Sequence, residues 1–253
     1  MSAPKVREVR ELGELAAVAA LFERVWGTAP GSSPMGTEQL RALSHSGNYV
    51  AGAFAGGRLV GASAAFFAAP VGQTLHSHVT GALPGYAAGL ALKRHQRDWS
   101  LARGLSRITW TYDPLVRRNA HFNLAKLGAR PVEYLTGFYG RVDDAINGGD
   151  DTDRLLVVWE LTGPGPTAAP VSADAVTALA VRDGLPVVGR ADSPTVLVEV
   201  PPDIAALRRT DPGAAEAWRL AGREVLGGLL AEGARVTGFH ERTAYVVTRE
   251  AAA

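Results

Sequence analysis

Between Glu11 and Trp26 the apolar residues Leu12, Leu15, Val18, Ala19, Phe22, Val25 and Trp26 return with a helical period, which predicts an amphipathic helix with one buried stripe. Gly27 to Gly36 is rich in Gly, Pro and Ser and reads as a loop long enough to face a substrate, and a short helix opens at Thr37. The pattern then changes to that of strands. Tyr49 to Phe54 and Arg58 to Phe67 form a hairpin across the Gly56-Gly57 turn, and a third strand runs from Leu75 to Leu83. A helix over Gly85 to Gly104 follows, then a strand over Ser106 to Tyr112 that Pro114 ends, and then a short helix over Asn119 to Leu127 stopped by Gly128. Strands at Arg130 to Tyr134 and Arg154 to Leu161 complete this half.

Three prolines within Gly163 to Pro170 interrupt both helix and sheet, so the chain divides there into residues 1–162 and a smaller extension, 166–253. The extension reads as a helix near Asp174 to Val181, a strand at Thr195 to Val200, a helix from Pro212 to Glu232 and a strand pair within Arg235 to Arg249. The fold class is α/β (α+β): a mixed sheet flanked by helices, with a C-terminal α/β subdomain.

Composition narrows the chemistry. The 253 residues, 47% hydrophobic, suffice for a sizeable core. Lys and Arg number 26 against 25 Asp and Glu, so there is no basic field to hold nucleic acid. The absence of cysteine excludes disulfides, a thiolate nucleophile and thiolate-held metals. No apolar run reaches spanning length and the first residues carry no apolar leader, so a cytoplasmic protein without membrane contact is expected.

The segment Val50-Ala-Gly-Ala-Phe-Ala-Gly-Gly-Arg-Leu-Val-Gly-Ala, the strand from Leu75, the glycine-opened helix after it and Asn119-Ala-His-Phe-Asn-Leu-Ala-Lys-Leu-Gly-Ala together resemble the GNAT superfamily of N-acetyltransferases, over roughly residues 5 to 161. The resemblance implies a mixed twisted sheet that binds acetyl-CoA as co-substrate. Pantetheine would lie along the strand containing Val79, Gly81 and Leu83. The pyrophosphate would rest on amides of Gly85, Ala87, Ala88 and Gly89, where helix N-terminal N–H groups favour an anion. The family's glycine-rich loop stands here as Pro84-Gly85-Tyr86-Ala87-Ala88-Gly89, and Leu124 occupies the place where many members carry an acidic tyrosine.

Several side chains are candidates for the chemistry. His76 and His78, two apart on one strand, share a face, and the family often places its general base on this strand; a neutral imidazole suits deprotonation of an incoming ammonium. Both also fit a silent interior role. Two ligands without a third make no metal site, so none is expected. Asp113 either orients a histidine or holds an amine, or it caps the turn before the Asn119 helix. Tyr139, with Tyr112 and Tyr134, is a candidate acid. Asn119 and Asn123, four apart, either contact the pantetheine or serve the helix itself. Arg94, His95, Arg97, Arg117 and Arg118 suit a phosphate or a solvated face, and Trp99, Trp110, Trp159 and Trp218 suit the core.

The expected activity is transfer of an acetyl group from acetyl-CoA to a primary amine of a small molecule. The alternatives are CoA-independent chemistry on the same scaffold and a non-catalytic binding or dimerisation protein. The extension either covers the acceptor site or forms a homodimer contact.

Overall fold

The apolar stripe of Leu15, Val18, Leu21 and Phe22 lies on helix α1 (Leu12–Trp26), which ends in the left-handed Gly27. In the computed structural model, which describes residues 3–142, 144, 146–163, 165–166 and 171–249, α1 and α2 (Thr37–His45) cover one face of a sheet. That sheet contains β1 (Lys5–Glu8), β2 (Tyr49–Ala55), β3 (Arg58–Ala68), β4 (Thr74–Ala82) and β5 (Arg107–Tyr112), in that spatial order. The strands from β1 to β4 are antiparallel, and β5 runs parallel to β4.

Alternation along the strands, interrupted at Val60 where the register between β2 and β3 shifts, sorts the side chains between two cores. Val50, Ala62, Ala64 and Val79 pack with α1 and α2, while Ala53 and Val60 pack with Ala88 and Leu92 of α3 (Ala88–Leu101) on the other face. Small residues set the spacing. A Cβ on Gly81 would stand 2.7 Å from the Trp26 ring, and one on Gly61 would stand 3.0 Å from Ala88 Cβ. The expected order helix, helix, three strands, helix, strand is therefore the order found, with β1 preceding it.

The chain forms two compact units. The first is residues 1–110 with 144–146 and 160–162; the second is 111–143, 147–159 and 163–253. The Pro-rich stretch, of which residues 164 and 167–170 lie outside the described residues, coincides with one of several crossings between them.

The second unit holds α4 (Arg117–Ala120), continued by a π-helical turn at His121–Lys126, and the antiparallel pair β6 (Arg130–Leu135) and β7 (Arg154–Glu160). It also holds a five-stranded sheet in the order β11 (Arg235–His240), β12 (Ala244–Thr248), β10 (Thr195–Glu199), β8 (Val176–Arg182), β9 (Leu185–Val188). Two helices follow β10. Asp203 opens α5 (Ile204–Thr210) by accepting from Ala206 N–H, and Asp211 opens α6 (Pro212–Gly222) by accepting from Ala214 N–H, with Pro212 at the first helical position. A π turn at Arg223–Gly227 leads into α7 (Gly228–Ala231).

The helix expected near Asp174 to Val181 is instead strand β8. Its alanines favour a helix, but Asp183 and Gly184 both take positive φ, the backbone of a two-residue hairpin turn, and they fold β9 back on β8. The turn outweighs the propensity.

Candidate functional site

Pairing between β4 and β5 begins at Thr74↔Arg107 and ends at His76↔Thr109. Beyond His76, β4 continues to Ala82 as an edge whose backbone groups have no registered partner on the β5 side among the described residues, so the strands open into a fork. On the β3 side the register slips between Ala64↔Val79 and Ala65↔Ser77, which leaves His78 as the extra residue of a β-bulge just past the apex.

His76 and His78 both lie against the Phe66 ring, with centroids 5.3 and 5.8 Å away. The His76 Nδ1 is 2.9 Å from Thr109 Oγ1 on β5. Burial, reinforced by the charges of His78 and Lys93, pulls its pKa to about 4. Exposed His78 is also lowered, by partial burial. Both rings are neutral at pH 7, and a neutral ring can accept a proton.

Beyond the fork, Leu83 N–H bonds Val60 O at 2.8 Å and closes the strand. Gly85 has φ +87°, and Ala87, the residue before α3, also takes a left-handed backbone with φ 52°. Among the described residues no side chain caps α3. Ala88 is buried against Gly61, whereas a Cβ at Gly85 or Gly89 would meet nothing within 4 Å. The turn thus leaves open space over its glycines. At Gly81 the missing side chain makes room for Trp26, and Val79 lies in the core beneath α1, so on β4 it is the backbone that is available to a ligand.

Under the apex is a group that the sequence pattern concealed. Lys93 of α3, 5% exposed, donates to Ser77 Oγ at 2.9 Å and to Gln96 Oε1 at 3.3 Å, and its Nζ stands 3.8 Å from the centre of the Trp110 ring. Ser77 and Trp110 are the first residues of β4 and β5 beyond the last registered pair. Gln96 Nε2 donates to Ser63 Oγ, which is 2.7 Å from Thr80 Oγ1. Burial alone lowers the Lys93 pKa to about 7. Lys93, Gln96 and Ser100 are polar residues at helical spacing, and all three are buried. The available signal was the rarity of lysine in this Arg-rich chain.

The remaining candidates belong to the second unit. Both Asp113 oxygens are held by guanidinium groups: Arg219 donates at 3.0 and 2.9 Å and Arg208 at 2.5 Å. Asp150 shares the same two arginines. Burial pushes the Asp113 pKa up, but Arg219 and Arg208 outweigh it and hold the carboxylate ionised far below its usual range. Its Oδ1 also accepts from Leu115 N–H, as an Asx cap would. The carboxylate has no oxygen left to hold an amine or to orient a histidine.

Tyr112 donates to Tyr245, which in turn donates to Pro114 O, and Tyr134 donates to Asp153. Burial raises the pKa of both Tyr112 and Tyr134, so neither is a ready acid. Tyr139 is 43% exposed, edge to face with Phe138, with its hydroxyl 3.2 Å from Thr111 Oγ1. Asn119 is half-buried in α4, and buried Asn123 accepts from Ala129 N–H through its carbonyl in the π turn. Arg97 bonds Leu161 O, Arg117 bonds Val200 O, and His95 meets Tyr49, leaving Arg94 and Arg118 on the surface. The four tryptophans named above are buried.

No protein-family model and no curated protein sequence matches the chain. Solved structures do. A GNAT-family structure from Desulfovibrio desulfuricans superposes with a TM-score of 0.51 at 15% identity, covering 63% of this chain and 100% of that one. The yncA protein of Salmonella typhimurium, solved with its cofactor acetyl-CoA, gives 0.51 at 15% identity over 68% of this chain and 100% of that one. The aminoglycoside 6'-acetyltransferase type Ii gives 0.50 at 16% identity over 63% of this chain and 99% of that one.

Proposed function

Since the chain has the fold of the GNAT acetyltransferases, we propose that it is an N-acyltransferase that moves an acetyl group from acetyl-CoA to a primary amine of a small molecule. The fork between β4 and β5 carries this reading. A strand edge with unpaired amide groups is a template for an extended, amide-containing chain such as pantetheine. The open turn at Gly85 to Gly89, leading into an uncapped helix N-terminus, suits the pyrophosphate. That an aminoglycoside acetyltransferase shares the fold supports a small-molecule acceptor.

In this reading His78, on the bulge beside the fork, takes a proton from the acceptor ammonium, directly or through water. The free amine attacks the thioester carbonyl, and strand amides hold the oxygen that becomes negative. Holding both reactants along one strand removes most of the entropic cost of their encounter.

Calorimetric titration with acetyl-CoA tests the binding step. Gly89→Asp, which sets a carboxylate into the open space at the turn, should weaken binding more than tenfold, about 1.4 kcal/mol or above. A folded protein that gives no heat with acetyl-CoA would overturn the reading. For the chemical step, His78→Gln should lower kcat roughly 10²-fold with little change in melting temperature.

A further inference from the structure

We propose that Lys93 is the acid of the reaction, delivering a proton through the Ser77 hydroxyl to the sulfur that leaves the thioester. The inference rests on the acyltransferase reading and assigns a step for which neither Tyr112 nor Tyr134 is a ready donor. Lys93 Nζ donates to Ser77 Oγ, and among the described residues the Ser77 hydroxyl donates to nothing. The lysine and serine are joined at the apex of the fork, where β4 and β5 part and where a thioester lying along β4 would pass. No carboxylate pairs with the ammonium among the described residues; its neighbours are the neutral Ser77, Gln96 and Trp110. An ammonium with a pKa of about 7 is a stronger acid than a thiol, whose pKa is about 8.5, so the transfer runs downhill.

The step balances. The acceptor nitrogen, having lost its proton to the base, forms the C–N bond, and the C–S bond breaks with its electron pair on sulfur. Ser77 passes its hydroxyl proton to sulfur as Lys93 passes one to Ser77. The base, having released its first proton to solvent, takes the remaining excess proton from the nitrogen and releases it in turn, and Lys93 is reprotonated from solvent. One amide, one free thiol and one released proton result.

Two substitutions and a spectroscopic measurement test this. Lys93→Met and Ser77→Ala should each lower kcat/KM roughly 10²-fold with acetyl-CoA. With the acetyl thioester of 4-nitrothiophenol, whose thiolate leaves without a proton, the ratio of wild type to variant should fall to near one. Loss of mere packing would depress both donors alike, and equal ratios for the two donors would overturn the proposal while leaving acyl transfer by the wild type intact. If the wild type transfers no acetyl group to any amine, the acyltransferase reading falls instead.

Should a variant fail to fold, wild-type protein still decides. The Lys93 ammonium resonance, followed by NMR across its titration, should shift on adding CoA but not desulfo-CoA, which lacks the thiol. An identical titration with both ligands would also overturn the proposal.

Discussion

Two buried polar clusters, one in each unit, meet the cost of burying charge in opposite ways. In the second unit Asp113 and Asp150 stand among Arg208 and Arg219, each charge matched by opposite ones within hydrogen-bond distance. Mutual attraction pushes the Asp113 pKa down and the Arg219 pKa up, so both stay ionised. In the first unit Lys93 has neutral partners, and burial brings its ammonium to the edge of deprotonation near neutral pH. A compensated cluster is locked and therefore structural. An uncompensated one can exchange a proton, which is what acid–base chemistry needs.

The comparison breaks most visibly at the locked cluster. Asp113→Asn removes the charge that two buried arginines face, and it should cost about 3–5 kcal/mol, read as a lower midpoint in urea. If the midpoint stayed in place, the quartet would not be the fastening described here.

Lys93→Met should do the reverse and stabilise the protein by about 1 kcal/mol at pH 6, because it removes a buried charge without a counter-charge. The sign of the pH dependence follows from linkage. Between pH 7 and the ordinary lysine value near 10.5, the unfolded chain holds a proton that the folded chain has lost, so wild-type stability rises with pH through this range. The advantage of Lys93→Met should shrink over the same interval, as thermal melts at several pH values would show.

A further effect concerns His76. Its pKa lies near 4 in the folded state, so the unfolded chain binds the extra proton between about pH 6.5 and 4, and stability falls as pH drops through that window. Stability measurements from pH 7 to 4 on His76→Gln should show a shallower fall.

Much of the first unit was legible because its signals are local. The Gly56-Gly57 turn has positive φ at both residues, as its hairpin requires, and the periodicity of Glu11 to Trp26 matched a helix whose stripe faces the core. In the second unit the Asp183-Gly184 turn was equally local but was masked by the alanines before it. Asp113 illustrates a different limit. The sequence supports its role as a cap for the following turn, and that bond exists, but nothing near position 113 announces Arg208 and Arg219.

By itself, then, the sequence determined the order of strands and helices from α1 to β7, the glycines at the turns, the buried tryptophans and a backbone plan resembling the GNAT acetyltransferases. Tertiary structure decided which polar residues carry chemistry. That Lys93 is buried depends on β4 and β5 closing over α3, that His78 sits in a bulge depends on the register with β3, and that the fork opens after His76 depends on how far two strands distant in sequence stay paired. Propensity and periodicity act over a few residues, whereas burial and strand register are set by contacts between segments far apart in the chain, and these fix the pKa of a side chain.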